Sequence, residues 1–532
     1  MAGRVGAVSR RAVLALCVIL LVVAGGAVLL LRGRGDDKRA AVADPLAEAL
    51  AFAPAAAPVV AQFDVERGAQ QGQALRDLAR TFPAARFAAD GVRSSVLALG
   101  FDADADLPSL LGGPLVVWGP AAAITGLTSS VSALQLELAP VLRAGATAAV
   151  VGRSADDVQA VLARAVDERR LRKLPDVAPG VAQYALPADA GRLGVRDGDL
   201  VLAATTTAVK DAFALRDRQG GLTRATFEQR LGPLNQPALI RAVAAPRALL
   251  SARAHGVPWV DALRGGALAV RIEKPGVRLR VHLSTDPARV TDADLPLAPG
   301  AQPPSPAPGP RPIFAGVRNL AQTIHVLDAA KGGLDVPFLK NLTTALATLD
   351  AVKGPLKTFG RVDVDAALID QLTGTTTITP EAPNTLALRA ELRDGGPLRT
   401  ALDRIAAVPD FAVKLAGVAL NVEHGGTDAY TVTRDGRPSL KVAVLGSTLV
   451  VTNDLRARLQ AIADRRPQRT SAASSGALAL HADGSAVQDE LIRRLGLPQL
   501  ARLVIGGFGD VDGIARAARS GVDVDLTLTL NQ

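Results

Sequence analysis

The order of parts in this 532-residue chain is written twice, once on each side of a proline-rich stretch. Pro299–Pro312 reads PGAQPPSPAPGPRP, seven prolines in fourteen residues, which favours extended semi-rigid backbone and marks a linker. Before it, Asp102-Ala103-Asp104-Ala105 leads into LPSLLGGPLVV; after it, Asp363-Val364-Asp365-Ala366 leads into ALIDQLTGTTTI. A strand-like run and a helix follow in both halves, from Ala146 and from Thr385. In the first helix Val158, Val161, Leu162 and Ala165 keep the i, i+3, i+4, i+7 spacing of one buried face. Ser154 stands before it as a cap, with Asp157 three residues on. Leu398, Leu402 and Ile405 keep the matching stripe in the second helix.

The parallel continues. The segment from Asp197 (DGDLVLAATTTAVKDAFALRD) matches the one from Leu445 (LGSTLVVTNDLRARLQAIADR): turn, apolar strand, polar helix start, amphipathic helix. Each half closes on an alternating strand, Arg278–Leu283 and Val522–Leu528, and period-two alternation is the signature of an antiparallel sheet with two unlike faces. The expectation is an α+β protein with two similar, duplicated lobes, each a mainly antiparallel sheet with amphipathic helices. The predicted boundaries are 1–39 for an anchor, 40–285 and 313–532 for the lobes, and 286–312 for the linker.

The anchor is Ala12–Leu31, twenty positions without a charge. At 1.5 Å per residue, about 20 residues cross a hydrocarbon core of about 30 Å. A cleaved signal would have a shorter apolar region leading directly to a small-residue site. Here the nearest such site, Ala41-Val42-Ala43, lies beyond the charged run RGRGDDKR. A lipoprotein signal at Cys17 fails because Leu16 precedes the cysteine and the apolar run continues past it. The prediction is an uncleaved single-pass helix with the bulk of the chain outside the cytoplasm. The sole cysteine lies in the span, which agrees with export and leaves no pair to oxidise.

The opening DPLAEALAFAPAAAPVVAQFDVERG from Asp44, the segment LRDLARTFP ending at Pro83, and DGDLVLAATTTAVKDAF from Asp197 resemble a family of anchored bacterial proteins classed as domain of unknown function 3352. The resemblance implies an N-terminal membrane anchor with an outer α/β body, and it brings no catalytic residues.

Chemistry-bearing motifs are thin. Asp102, Asp104 and Asp106 imitate the start of an EF-hand loop, but Leu107 and Gly113 stand where Gly and Glu are required. They are expected to be strand residues on a solvated sheet edge. Asp510 and Asp512 with Gly513 fail in the same way. His255, His282, His325, His424 and His481 form no HxxxH or HExxH pair. His282, on the polar phase of its strand, is expected to face solvent; His255 and His481 are expected to share one turn geometry at matched repeat positions. Gly506–Gly513 is a poor dinucleotide loop, SAASSG from Ser471 reads as a loop, and neither GxSxG nor GxxxxGK[ST] occurs. No residue is nominated as catalytic, cofactor-binding or metal-ligating, no cofactor is expected, and the protein is read as a non-enzyme.

The net charge of +9 suggests a polyanionic partner until it is located. Residues 1–39 hold seven basic and two acidic residues, leaving only +4 on the other 493. Basic residues flanking the span suit anionic headgroups. The body has no basic run interleaved with aromatics, so a nucleic-acid partner is excluded. The functional expectation is a membrane-anchored extracytoplasmic binding or scaffold protein with an envelope protein or lipid partner. The alternatives are an envelope lipid or apolar-ligand carrier and, less favoured, a hydrolase with an unrecognised site.

Overall fold

The structure, a computed structural model, describes residues 44–64, 70–81, 93–94, 96–121, 138–249, 256–274, 276–300, 302–304, 313–330, 350–351, 353–358, 360–382, 385–407, 413–415, 418–426, 428–465, 476–495 and 507–531. The predicted span 12–31, His255, residues 471–475 of the SAASSG loop and most of the proline-rich run lie outside them. No helix among the described residues is long and apolar enough to cross a membrane.

Every strand pairing among the described residues is antiparallel. The first half holds β1 (Val59–Phe63), β2 (Leu115–Gly119), β3 (Thr147–Val151), β4 (Arg172–Ala178), β5 (Val181–Ala185), β6 (Arg192–Arg196), β7 (Asp199–Ala203), β8 (Ile240–Ala244), β9 (Leu263–Glu273) and β10 (Gly276–Thr285). They lie side by side in the order 4-5-6-7-3-2-1-8-9-10. The second half holds β11 (Ile313–Arg318), β12 (Thr375–Ala382), β13 (Thr385–Glu391), β14 (Val413–Leu415), β15 (Val418–Gly426), β16 (Ala429–Arg434), β17 (Arg437–Leu445), β18 (Thr448–Thr452), β19 (Leu478–Ala482), β20 (Phe508–Ala518) and β21 (Gly521–Leu530). Their order is 14-15-16-17-18-13-12-11-19-20-21. Apart from β14, which adds one outer strand, the two orders are the same.

Helices fill the same gaps. Gln70–Thr81 lies between β1 and β2 and Leu320–Ala330 between β11 and β12; Ala155–Asp167 follows β3 and Gly396–Ala406 follows β13. Ala155–Asp167 forms where the sequence places it. Ser154 accepts the Asp157 N–H at 3.0 Å, two aspartates sit in the first turn, and Val158, Val161, Leu162 and Ala165 are buried. Leu398, Ala401 and Ile405 are the buried residues of Gly396–Ala406.

The halves do not keep separate sheets. β10 pairs with β21 from Gly276↔Thr529 through Ser284↔Gly521, joining the 21 strands of the described residues into one sheet. This modifies the expectation of one sheet per lobe: the last strand of each half offers a full ladder edge, and pairing the two removes both edges at once. The outer edges are β4 and β14. β4 carries exposed Lys173, Pro175 and Asp176, residues that blunt an edge, and β14 is three residues long.

The core divides along the sheet. In the first half, one apolar cluster gathers Leu50, Phe52, Val60, Val209, Phe213 and Phe227, and another gathers Leu107, Val158, Leu162, Tyr184 and Leu193. Second-half clusters are smaller, the largest built on Leu372, Leu398, Tyr430 and Val444. Between them, Val257, Trp259 and Val260 pack with Val290, Leu295, Leu297, Ala330, Ala477 and Val522. The start of the predicted linker is thus part of this middle core, and Gln322 Nε2 donates to the carbonyls of Asp292 (2.7 Å) and Leu295 (2.9 Å).

Candidate functional site

The middle of the sheet carries a charged band on one face. Side chains alternate along a strand, and directly opposed residues in an antiparallel ladder share a face. The pairings put Arg271, Arg278, Thr527, Asp512 and His481 in one cross-strand row. Arg280 and Asp525 lie in the next, and His282, Asp523 and Arg516 in a third. The bases of β10 therefore face the acids of β21.

The contacts follow. Arg278 Nε donates to Asp525 Oδ1 at 2.8 Å, and a second guanidinium nitrogen bonds the other carboxylate oxygen. His282 Nδ1 lies 2.9 Å from Asp523 Oδ1, and His481 Nδ1 lies 2.8 Å from Asp512 Oδ1. The hydrogen bond from His282 holds the Asp523 carboxyl below its usual range against the cost of burial, helped by the charges of Arg516 and Arg280. His481 is raised, first by its bond to Asp512 and then by the charges of Asp512, Asp510 and Asp483, which together outweigh burial. Arg280 and Arg516 are half-buried beside Asp523.

Several expectations change here. His282 does not face solvent freely; its side chain is 16% exposed and engaged across the seam between the halves. His481 lies in β19, paired to β20, instead of in a turn. Its counterpart by strand order is in β8, Ile240–Ala244, so the match with the segment before His255 falls away. Gly509–Gly513 lies in β20, where the glycines admit close neighbours: a Cβ on Gly513 would collide with Leu526. His325 Nε2 lies 2.8 Å from Asp370 Oδ1 on the surface, and His424 Nε2 lies 4.0 Å from Asp403 Oδ1. Asp403 also accepts the Tyr430 hydroxyl at 2.6 Å.

Asp102, Asp104 and Asp106 lie in a turn, not on a strand edge. Asp102 Oδ1 accepts the N–H groups of Asp104 and Ala105, both at 2.8 Å. The Asp106 side chain is fully buried, accepts the Asp102 N–H at 2.7 Å, and is held by Arg170 at 2.8 Å and by Arg164. Burial opposes its ionisation, but these bonds outweigh it and keep the carboxyl below its usual range. No local signal announces this, because the arginines stand 58 and 64 residues away.

Asp199, at the start of β7, is a second buried carboxylate that sequence reasoning missed. Arg216 grips it while its guanidinium carbon stands 5.0 Å from the Phe52 ring centroid, and Glu48 approaches the same arginine at 4.0 Å. Burial pushes Asp199 up to about 6; Arg216 opposes the shift, and the charges of Glu48 and Asp197 add to it. Both clusters close on themselves as ion pairs. Among the described residues no group of three or more His, Cys, Asp or Glu could hold a metal ion.

No family model matches the chain, and no curated protein matches it. Among solved structures it is similar to TP0453 in two crystal forms. Form IV shares 12% identity over 42% of this chain and 80% of that one, with a TM-score of 0.23. Form III shares 9% identity over 48% and 84%, with a TM-score of 0.24. Likeness at that level transfers neither fold nor activity.

Proposed function

We propose that this chain is a membrane-anchored, extracytoplasmic binding or scaffold protein, built by duplication of one α+β unit and related to the domain of unknown function 3352. The observation that carries this reading is the shared strand order of the two halves, fused into one sheet with a charged band across the seam. A long sheet joined by a full ladder is a stiff platform, and alternating charges on a half-exposed face suit a polar protein surface. Asp512, 60% exposed, and half-buried Arg516 are the members of the band placed to meet a partner.

In-cell crosslinking with the anchored protein as bait should capture a reproducible envelope partner, reduced by Asp512→Asn with Arg516→Gln. A pull-down without such a partner, or one indifferent to both substitutions, would sink the reading.

One observation favours a second reading, an apolar-ligand or lipid carrier. On the opposite face of the same strands, Leu268, Leu279, Val281, Val524, Leu526 and Leu480 are only half-buried and Leu478 is 36% exposed. Mass spectrometry of copurifying lipid tests it, and lipid-free protein would retire it.

A further inference from the structure

The first element described after the predicted span is built into the core. Asp44 caps the helix Pro45–Leu50, accepting the Ala47 N–H at 3.1 Å, and its other oxygen meets Arg224 at 3.1 Å. Leu46, Ala49, Leu50, Phe52 and Ala53 are buried in the largest first-half cluster. The Leu222 N–H donates to the Ala53 carbonyl at 2.8 Å, and a Cβ on Gly221 would collide with the Ala51 carbonyl. Peeling this segment away would expose the buried side chains of Leu50 and Phe52 to water, besides the smaller ones.

Residues 32–43 join the predicted span to Asp44. Twelve residues reach at most about 40 Å when fully extended. The helix Arg224–Leu231, which meets Asp44 through Arg224, packs on β8 and β9, and ten strand spacings separate β8 from β17. That is about 50 Å along the sheet.

We propose that the surface around the helix Arg224–Leu231 is the membrane-facing end of the body, seated on the headgroups of the bilayer that holds residues 12–31; this rests on the anchor reading above. Its chemistry fits. Arg224 is neutralised by Asp44 and Glu228, whereas Arg230 donates to the Ala55 carbonyl at 2.9 Å and has no carboxylate partner among the described residues. Arg218, six residues before the helix, is exposed, as are Ala55, whose carbonyl Arg230 meets, and its neighbours Pro54 and Ala56. Basic side chains near the surface are drawn to anionic headgroups.

The test uses the full chain in phosphatidylcholine–phosphatidylglycerol vesicles carrying a headgroup energy acceptor. With Cys17→Ala removing the native thiol, Gln229→Cys or Arg437→Cys takes a single donor dye at an exposed position. Transfer from position 229 should be severalfold stronger than from 437. A flexible Gly/Ser spacer of about twenty residues after Arg39 should erase most of the difference. Equal transfer from both positions, or a difference indifferent to the spacer, overturns the proposal. Protein that fails to float with the vesicles overturns the anchor reading itself, a separate result.

Discussion

Two turns at matched places show how the halves differ. Before β2, Asp102 binds the N–H groups two and three residues on; before β12, Asp363 binds those of Asp365 (3.1 Å) and Ala366 (3.2 Å) in the same way. Four residues after the capping aspartate the halves part. The first has Asp106, fully buried between Arg164 and Arg170, whereas the second has Ala367, packed against a small cluster with Val362, Val364, Ala401 and Ile405. An Asx turn needs only one side chain and its neighbouring amides, so it is set locally. What lies beneath it is set by partners far along the chain, and it differs between the halves.

The largest expected break in that comparison is Asp106→Ala. Two arginines would lose their buried counter-charge, and the loss is expected to be about 3–5 kcal/mol in denaturant unfolding. Asp363→Ala should cost only about 1 kcal/mol, the value of a cap. Equal losses would mean that the buried ion cluster contributes no more than its turn.

Asp199 gives the next effect. Its folded-state pKa, about 6, lies above the ordinary 3.8, so its favourable contribution is full below 3.8 and fades as pH rises through about 6. Asp199→Asn does not titrate. The stability difference, wild type minus variant, should therefore fall by up to about 3 kcal/mol between about pH 4 and pH 7. A flat difference would place Asp199 as an ordinary ionised partner of Arg216.

The seam comes third. Arg278→Asp should weaken it, Asp525→Arg likewise, and the double exchange should recover about 1–3 kcal/mol of coupling in a double-mutant cycle. Additive losses would show that backbone pairing and the apolar face alone join the halves.

The smallest effect belongs to His481. Its folded pKa is raised, so its contribution is full below the ordinary 6.5 and disappears as pH rises through the folded value. His481→Gln should therefore destabilise most at mildly acidic pH and least above neutrality, by less than about 1 kcal/mol because the pair is partly solvated. A loss that grows with pH would contradict the ion pair with Asp512.

The local elements were legible in the chain, for reasons that stay within a few residues. The stripe Val158, Val161, Leu162, Ala165 needs only a helical period, and it is the set buried by Ala155–Asp167. The alternation Arg278-Leu279-Arg280-Val281-His282 needs only a strand, and it occupies β10. The candidate band was half legible: like charges two residues apart announce a common face, but nothing in either strand says that one will pair with the other. Asp102–Asp106 misled because alternate acids look the same on a strand and in a turn until the distant Arg164 and Arg170 are in place.

The sequence by itself determined the alternation of strand and helix, the Ser154 cap and buried stripe of Ala155–Asp167, and the repeated order of parts. Periodicity and capping are local, and the chain states them directly. Only the tertiary structure decided that β10 and β21 close one sheet, that Asp106 and Asp199 are buried, and that His282 is held across the seam. Each of these depends on groups brought together from tens to hundreds of residues away, where ladder edges and buried charges find partners that no local pattern names.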